Sequence, residues 1–201
     1  MNSAYILNSR IIVTECGMFS SLPQSDFDKL VDSKTTQPGL SVIEKMCSGV
    51  YLGEIAEQMI RAACKEGLFT AVFTNAISKL KTIPTSCFDG LFIKNKQTKL
   101  SEILKKGTDE DAEILKELIK SIILRSAKLS SQAIYAAIVC ADKEKEEFPV
   151  CITCNGSTFW KTPLLKEAVE SELSSLLKQP FKIIQIDDDI TKGSFAAAFI
   201  S

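Results

Sequence analysis

The strongest helical signal in the chain begins at Thr108, and it limits the fold more than any other segment. Asp109, Glu110 and Asp111 stand in its first turn, where the positive end of a helix dipole favours acids. Ile114, Leu115, Leu118, Ile119, Ile122 and Ile123 then recur at three- and four-residue spacing. The pattern predicts a helix running on through "RSAKLSSQAIYAAIVCA", with a kink near Ser130-Ser131. A helix with one apolar stripe must be covered by other elements, and the rest of the chain offers both helices and strands.

Ahead of it, Tyr5–Leu7 and Ile11–Thr14 are short apolar runs separated by Asn-Ser-Arg, the pattern of a β-hairpin. Ser25 followed by Asp28 reads as a capping box that opens a short helix ending near Asp32. After Pro38-Gly39, "LSVIEKMC" reads as another helix. Beyond Gly49, the residues Leu52, Ile55, Ala56, Met59, Ile60 and Ala63 define an amphipathic helix with Gly67 as its C-cap. "AVFTNAISKLKTI" predicts a further helix, with a turn near Phe92-Ile93. Past the long helix come a strand in "PVCITCNG", a helix with Thr162 as N-cap and Pro163 at N1, a strand in "FKIIQID" and a small-residue helix in "TKGSFAAAFIS". Strands near both ends with helices between them predict an α/β fold, a mixed sheet flanked by helices, with residues 1–201 as one domain or one lobe.

The composition removes whole classes of chemistry. The chain has no histidine, so histidine triads, HExxH zinc sites and imidazole acid–base steps are excluded. Lys and Arg number 24 against 25 Asp and Glu, which argues against a nucleic-acid partner. No secretory signal or membrane-length apolar run is evident, and seven cysteines is an odd number. These features predict a reduced, cytoplasmic protein without disulfides. Cys151 and Cys154 form a CxxC, but in a strand such positions face opposite sides, so both are read as structural. The charged run at residues 142–148 is read as a solvated loop.

One stretch, Thr14 to Glu54, concentrates Glu15, Asp28, Asp32, Glu44 and Glu54 among glycines and turns. Glycines and turns bring backbone near a ligand, and a pair of carboxylates can accept hydrogen bonds from neighbouring hydroxyls of a polyol. Spacing alone does not separate that use from solvation or salt bridging.

"VTECGMF", "DFDKLVDSKTTQPG" and "IEKMCSGVYLGE", in this order and spacing, closely resemble the large lobe of the hexokinase and glucokinase family. There the pattern reads NTEWGxF, then (Y/F)DxxxDxxSxNPG, then EKMxSGxYLGE. "NSAY" resembles the family's NACY, and "RSAKLSS", "CNGSTFWKTP" and "IDDDITKGSFAAAFIS" resemble later family stretches. Between Gly67 and Gly107 the similarity is faint. The resemblance implies an actin-like, ribonuclease H-like ATPase lobe. It places Asn2, Glu15 and Glu44 on a hexose, and Gly49, Gly156 and Ser157 by ATP, with Mg2+ held mainly through the ATP phosphates. Asp28, Asp32 and Glu54 match structural positions of the family, explained by capping and local ion pairing. Ser41, Cys16 and Val13 depart from a Gln, a Trp and an Asn of the family, and Val50 stands where some members have a Lys.

The family's catalytic Asp and its glycine-rich phosphate loops have no counterpart in these residues. The resemblance therefore implies part of an ATP-dependent hexokinase, a phosphotransferase to the 6-hydroxyl of a hexose such as glucose, with no catalytic residue of its own and no activity alone. Its partners would be the hexose, ATP and the small lobe of the same enzyme, with self-association through the exposed lobe-facing surface. The alternative is a non-catalytic sugar-sensing or scaffolding module derived from such an enzyme.

Overall fold

The computed structural model describes residues 5–7, 11–143, 149–188 and 191–192, with 5–7 and 11–13 described by their backbone. Strands β1 (Tyr5–Leu7) and β2 (Ile11–Val13) pair antiparallel with Ile6 opposite Ile12, which is the predicted hairpin. Strands β3 (Val150–Thr153) and β4 (Phe181–Ile184) pair in parallel, Ile152 opposite Ile183. Among the described residues these remain two separate two-stranded sheets, one of each kind. The parallel pair is joined by a crossover containing two helices, as parallel strands require.

Nine helices lie among the described residues. They are α1 (Asp26–Asp32), α2 (Val42–Cys47), α3 (Gly49–Lys65), α4 (Ala71–Ser78), α5 (Asp89–Phe92), α6 (Lys99–Leu104), α7 (Asp109–Cys140), α8 (Ser157–Lys161) and α9 (Leu165–Leu176). Helix α7 is the spine, packed on α9, α3 and α2. It runs unbroken through Ser130-Ser131, because Ser131 there is buried and directs its hydroxyl to the Val169 carbonyl of α9 at 3.3 Å. Leu115, Ile119, Ile122 and Ile123 of its stripe join Leu52, Ile55 and Ile60 of α3, with Val169 and Leu173 of α9, in one core. Burying a side chain of this size contributes about 1.5–3 kcal/mol.

Local chemistry fixes the element ends. Ser25 accepts from the Asp28 N–H while Asp28 accepts from the Ser25 N–H, the predicted capping box of α1. Past α3, Gly67 takes φ +74 and donates to Cys64, and the Leu68 N–H reaches Ala63, a Schellman ending. Thr108 caps α7, and Asp111, 1% exposed, accepts from Thr108 N–H, Thr70 N–H and Thr70 Oγ1 at 2.9, 2.8 and 2.7 Å. One carboxylate thus joins the starts of α4 and α7. Burial opposes its ionisation, yet the Thr70 and Thr108 donors outweigh that and hold its carboxyl below the ordinary value.

The expected start of the helix after α8 is corrected. Thr162 and Pro163 do not begin a helix. Thr162 ends the short helix α8 by donating to Thr158, and α9 starts at Leu165 behind Leu164 at φ +66. The hydroxyl that would cap α9 belongs to a residue whose backbone already closes the preceding turn. In the faint region, α6 was not foreseen, because its capping pair is Thr98 with Ser101 rather than with a Glu or Gln. The predicted closing helix falls largely on 193–201 and the charged run largely on 144–148, both outside the described residues.

Candidate functional site

Residues Cys16–Met18 form one 3-10 turn, and it packs against α2. The Ile43 N–H donates to the Phe19 carbonyl at 3.1 Å, and a Cβ at Gly17 would lie 3.8 Å from that of Glu44. The contact brings two segments of the chain together at a groove of about 410 Å³. Cys16, Gly17, Ile43, Glu44 and Cys47 line one side of it. Ser130, Ala133, Ile134 and Ala137 of α7 line the other, a helix face read at steps of three and four. Glu15 immediately precedes this turn and Glu44 is part of the wall. The lining is almost wholly apolar surface, with Glu44 one of its residues.

Both carboxylates are exposed, and neither side chain has a hydrogen bond or ion pair among the described residues. Glu15 also adopts φ +45, a left-handed conformation that costs a non-glycine residue about 1–2 kcal/mol. Such strain persists where surrounding structure holds it, and it concentrates at functional positions. Ser41, the residue before α2, sits at φ +50 and makes no side-chain cap. Asn2, the third residue expected at the sugar, lies outside the described residues.

The other carboxylates of this stretch are engaged elsewhere. Arg125 of α7 grips Asp28 in a bidentate pair, both distances 2.8 Å. Lys45 meets Asp32 at 2.5 Å and also donates to Thr35 Oγ1 and the Gln37 carbonyl, while the Gly39 N–H bonds Asp32 at 2.7 Å. Burial raises the cost of charging Asp32, but the Lys45 ammonium and Gly39 N–H hold its carboxyl below the ordinary range. Glu54 is exposed on α3 and away from the groove. Cys47 and Ser126 clasp α2 to α7, Ser126 Oγ reaching the Cys47 carbonyl at 3.3 Å, and burial pushes the Cys47 thiol up. All seven cysteines are free; Cys151 of β3 is exposed, and Cys154, one residue past the strand, is half-buried.

Of the three residues expected near the nucleotide, Gly49 approaches the Gly156–Ser157 segment through Thr158. A side chain at Gly49 would strike Thr158 Oγ1, one residue past Ser157. What approaches Gly49 closely is therefore this chain's own Thr158. Gly156 takes φ +99 with open space where a Cβ would stand, and Gly156 and Ser157 are exposed. Trp160 anchors α8 by donating to the Cys154 carbonyl at 3.0 Å. Thr158 was not singled out in the sequence, nor was Arg125; the latter lies in the "RSAKLSS" stretch, but no local spacing links it to Asp28. Among the described residues no cluster of three or more His, Cys, Asp or Glu could hold a metal ion, and no helix is long and apolar enough to cross a membrane.

The α/β lobe built on a long central helix matches solved structures of actin-like ATPase fold. A hexokinase from Schistosoma mansoni complexed with glucose superposes with a TM-score of 0.75 at 21% identity, over 93% of this chain and 45% of that one. The hexokinase family model matches residues 5–200, and the chain belongs to that family, in its C-terminal domain. A Brugia malayi hexokinase is 27% identical over 96% of this chain and 36% of its own length. Hexokinase-7 of Oryza sativa subsp. japonica is 29% identical over 83% and 39%. The chain thus spans between a third and two-fifths of the length of these curated relatives.

Proposed function

We propose that this chain is the sugar-holding lobe of an ATP-dependent hexokinase, and that Glu15 and Glu44, with Asn2, bind the hydroxyls of a hexose such as glucose. The observation that carries this reading is the separation of charges in one stretch. Asp28 and Asp32 are engaged by protein, while Glu15 and Glu44 are exposed and unpartnered among the described residues, Glu44 on a groove and Glu15 just before its first lining residue. Two ionised carboxylates accept strongly from vicinal hydroxyls, and a neutral polyol supplies donors without a net charge to be balanced.

Gly156 and Ser157, next to Gly49, are assigned to the ATP pocket. The open positive-φ backbone at Gly156 lets a flat base or a phosphate approach without meeting a Cβ. ATP supplies the phosphoryl group for the hexose 6-hydroxyl, and Mg2+ is assigned to the ATP phosphates. Such transfer rests on positioning and charge stabilisation, with a carboxylate to take the hydroxyl proton. We assign no residue of this chain to that base, so this chain by itself is expected to bind without turnover. Exposed Met18, Phe19, Leu40 and Val50 are read as the surface that meets the rest of the protein, and they are also where the chain would self-associate.

The test is ligand-observed NMR with glucose on the chain and on Glu44→Gln. Weak saturation transfer that disappears in the variant supports the reading. Equal signals from both proteins would reject Glu44 as a sugar ligand.

A further inference from the structure

We propose that helix α6 and the two grooves beside it form a docking surface for an acidic, amphipathic segment of a partner protein. Residues 79–107 hold seven lysines against Asp89 and Glu102, a local charge of +5 in a chain whose net charge is −1. Lys79, Lys81, Lys94, Lys96, Lys99, Lys105 and Lys106 are all exposed, and none forms an ion pair among the described residues. The remainder of the chain is correspondingly acidic, so this surface stands out as a positive field on an otherwise negative lobe.

The lysines border two grooves whose linings mix apolar side chains with polar ones. The groove of about 420 Å³ between α4 and α6 is lined by Val72, Ala76, Leu80 and Ile103. Lys79, Lys99 and Lys106 stand around it, with Glu102 its only acid. On the other side of α6, a groove of about 480 Å³ combines Leu91, Phe92 and Ile93 with Lys94, Lys96 and Lys105. Val72 is 58% exposed and Ile93 46%, so apolar surface is open on both sides.

An amphipathic helix or strand places apolar residues on one side and acids along its flanks, which is the complement of this pattern. Nucleic acid is the weaker fit. The segment has no arginine, Phe88 is buried, and Phe92 is half-buried in a groove wall, so at most one partly open ring is offered to bases. A bilayer is weaker too, since peripheral binding needs a protruding apolar face and these are concavities. Neither groove shares a lining residue with the groove at Glu44, so docking here leaves the proposed sugar residues uncovered.

The experiment is fluorescence anisotropy of the chain with a labelled amphipathic helical peptide of Glu and Leu. A Lys79→Glu, Lys99→Glu, Lys106→Glu triple variant is compared with a control triple at the exposed Lys65, Lys116 and Lys128. Binding weakened about tenfold or more by the first and less than about twofold by the second supports the surface. A peptide with every Leu replaced by Ser should also bind at least about fivefold more weakly, because it cannot fill the apolar linings. Circular dichroism establishes that both variants are folded. The proposal is overturned if the peptide does not bind, if both triples lose binding alike or if the Ser peptide binds as tightly. Tighter binding of duplex DNA or of phosphatidylserine vesicles than of the peptide also overturns it.

Discussion

Asp28 and Asp32 are 3% and 7% exposed, and between them they accept from two cations, two backbone N–H groups and a hydroxyl. Glu15 and Glu44 come from the same stretch, are exposed, and accept nothing among the described residues. A carboxylate taken out of water must be satisfied internally or it costs several kcal/mol. A carboxylate proposed to hold a ligand, as Glu15 and Glu44 are, needs only acceptor sites that its own chain leaves open. The first pair fixes how α1 and α2 sit on α7. The second is carried on that frame, one member on a strained backbone and the other on the rim of a groove.

The comparison breaks most visibly at Lys45. Lys45→Met leaves Asp32 buried without its cation and should cost about 3–5 kcal/mol in urea unfolding. Lys29→Met removes an exposed pair with Asp26, side chains 63% and 97% exposed, and should change stability by less than about 0.5 kcal/mol. Equal losses from the two would mean that burial does not distinguish these charges.

Acid should act on the same frame. The folded carboxyls of Asp32 and Asp111 lie below the ordinary value of 3.8, so the unfolded chain binds more protons in that interval. Their contribution is fully present above pH 3.8 and is lost as pH falls through the lower folded values. Asp111→Asn should therefore flatten the acid side of the stability profile, besides lowering stability at neutral pH. An unchanged acid limb in this variant would remove Asp111 from the account.

The smallest effect has the opposite sign. Glu15→Gly releases a left-handed penalty of about 1–2 kcal/mol against about 0.5–1 kcal/mol of added chain entropy. A net gain of about 0.5 kcal/mol is expected in thermal unfolding, together with loss of the glucose signal by NMR. A variant that is less stable would show that Glu15 is held by contacts rather than strained by them.

Much of the fold was legible along the chain. The hairpin, the Ser25 capping box, the Gly67 ending of α3 and the long helix from Thr108 each rest on residues within a few positions of one another. Helices α5, α6 and α8 were not legible, α6 for want of an acidic capping partner and the other two because four or five residues are too few for a period to register. The family motifs set Glu15 and Glu44 apart from Asp28 and Asp32, which they marked as structural, but did not name the partners that engage the two aspartates. Arg125 meets Asp28 only because α7 passes under α1, and no local spacing encodes that meeting.

The sequence by itself determined the helix-rich α/β class, the absence of imidazole chemistry and the family. Each of these depends on residue type and short-range order. Only the tertiary structure decided which partners engage Asp28 and Asp32 while Glu15 and Glu44 have none among the described residues, that Gly49 lies against Thr158, and that lysines scattered over residues 79–107 border two grooves. Those facts concern which distant groups share a surface and how much water remains on them. Packing fixes both, and neither is written in any single stretch of chain.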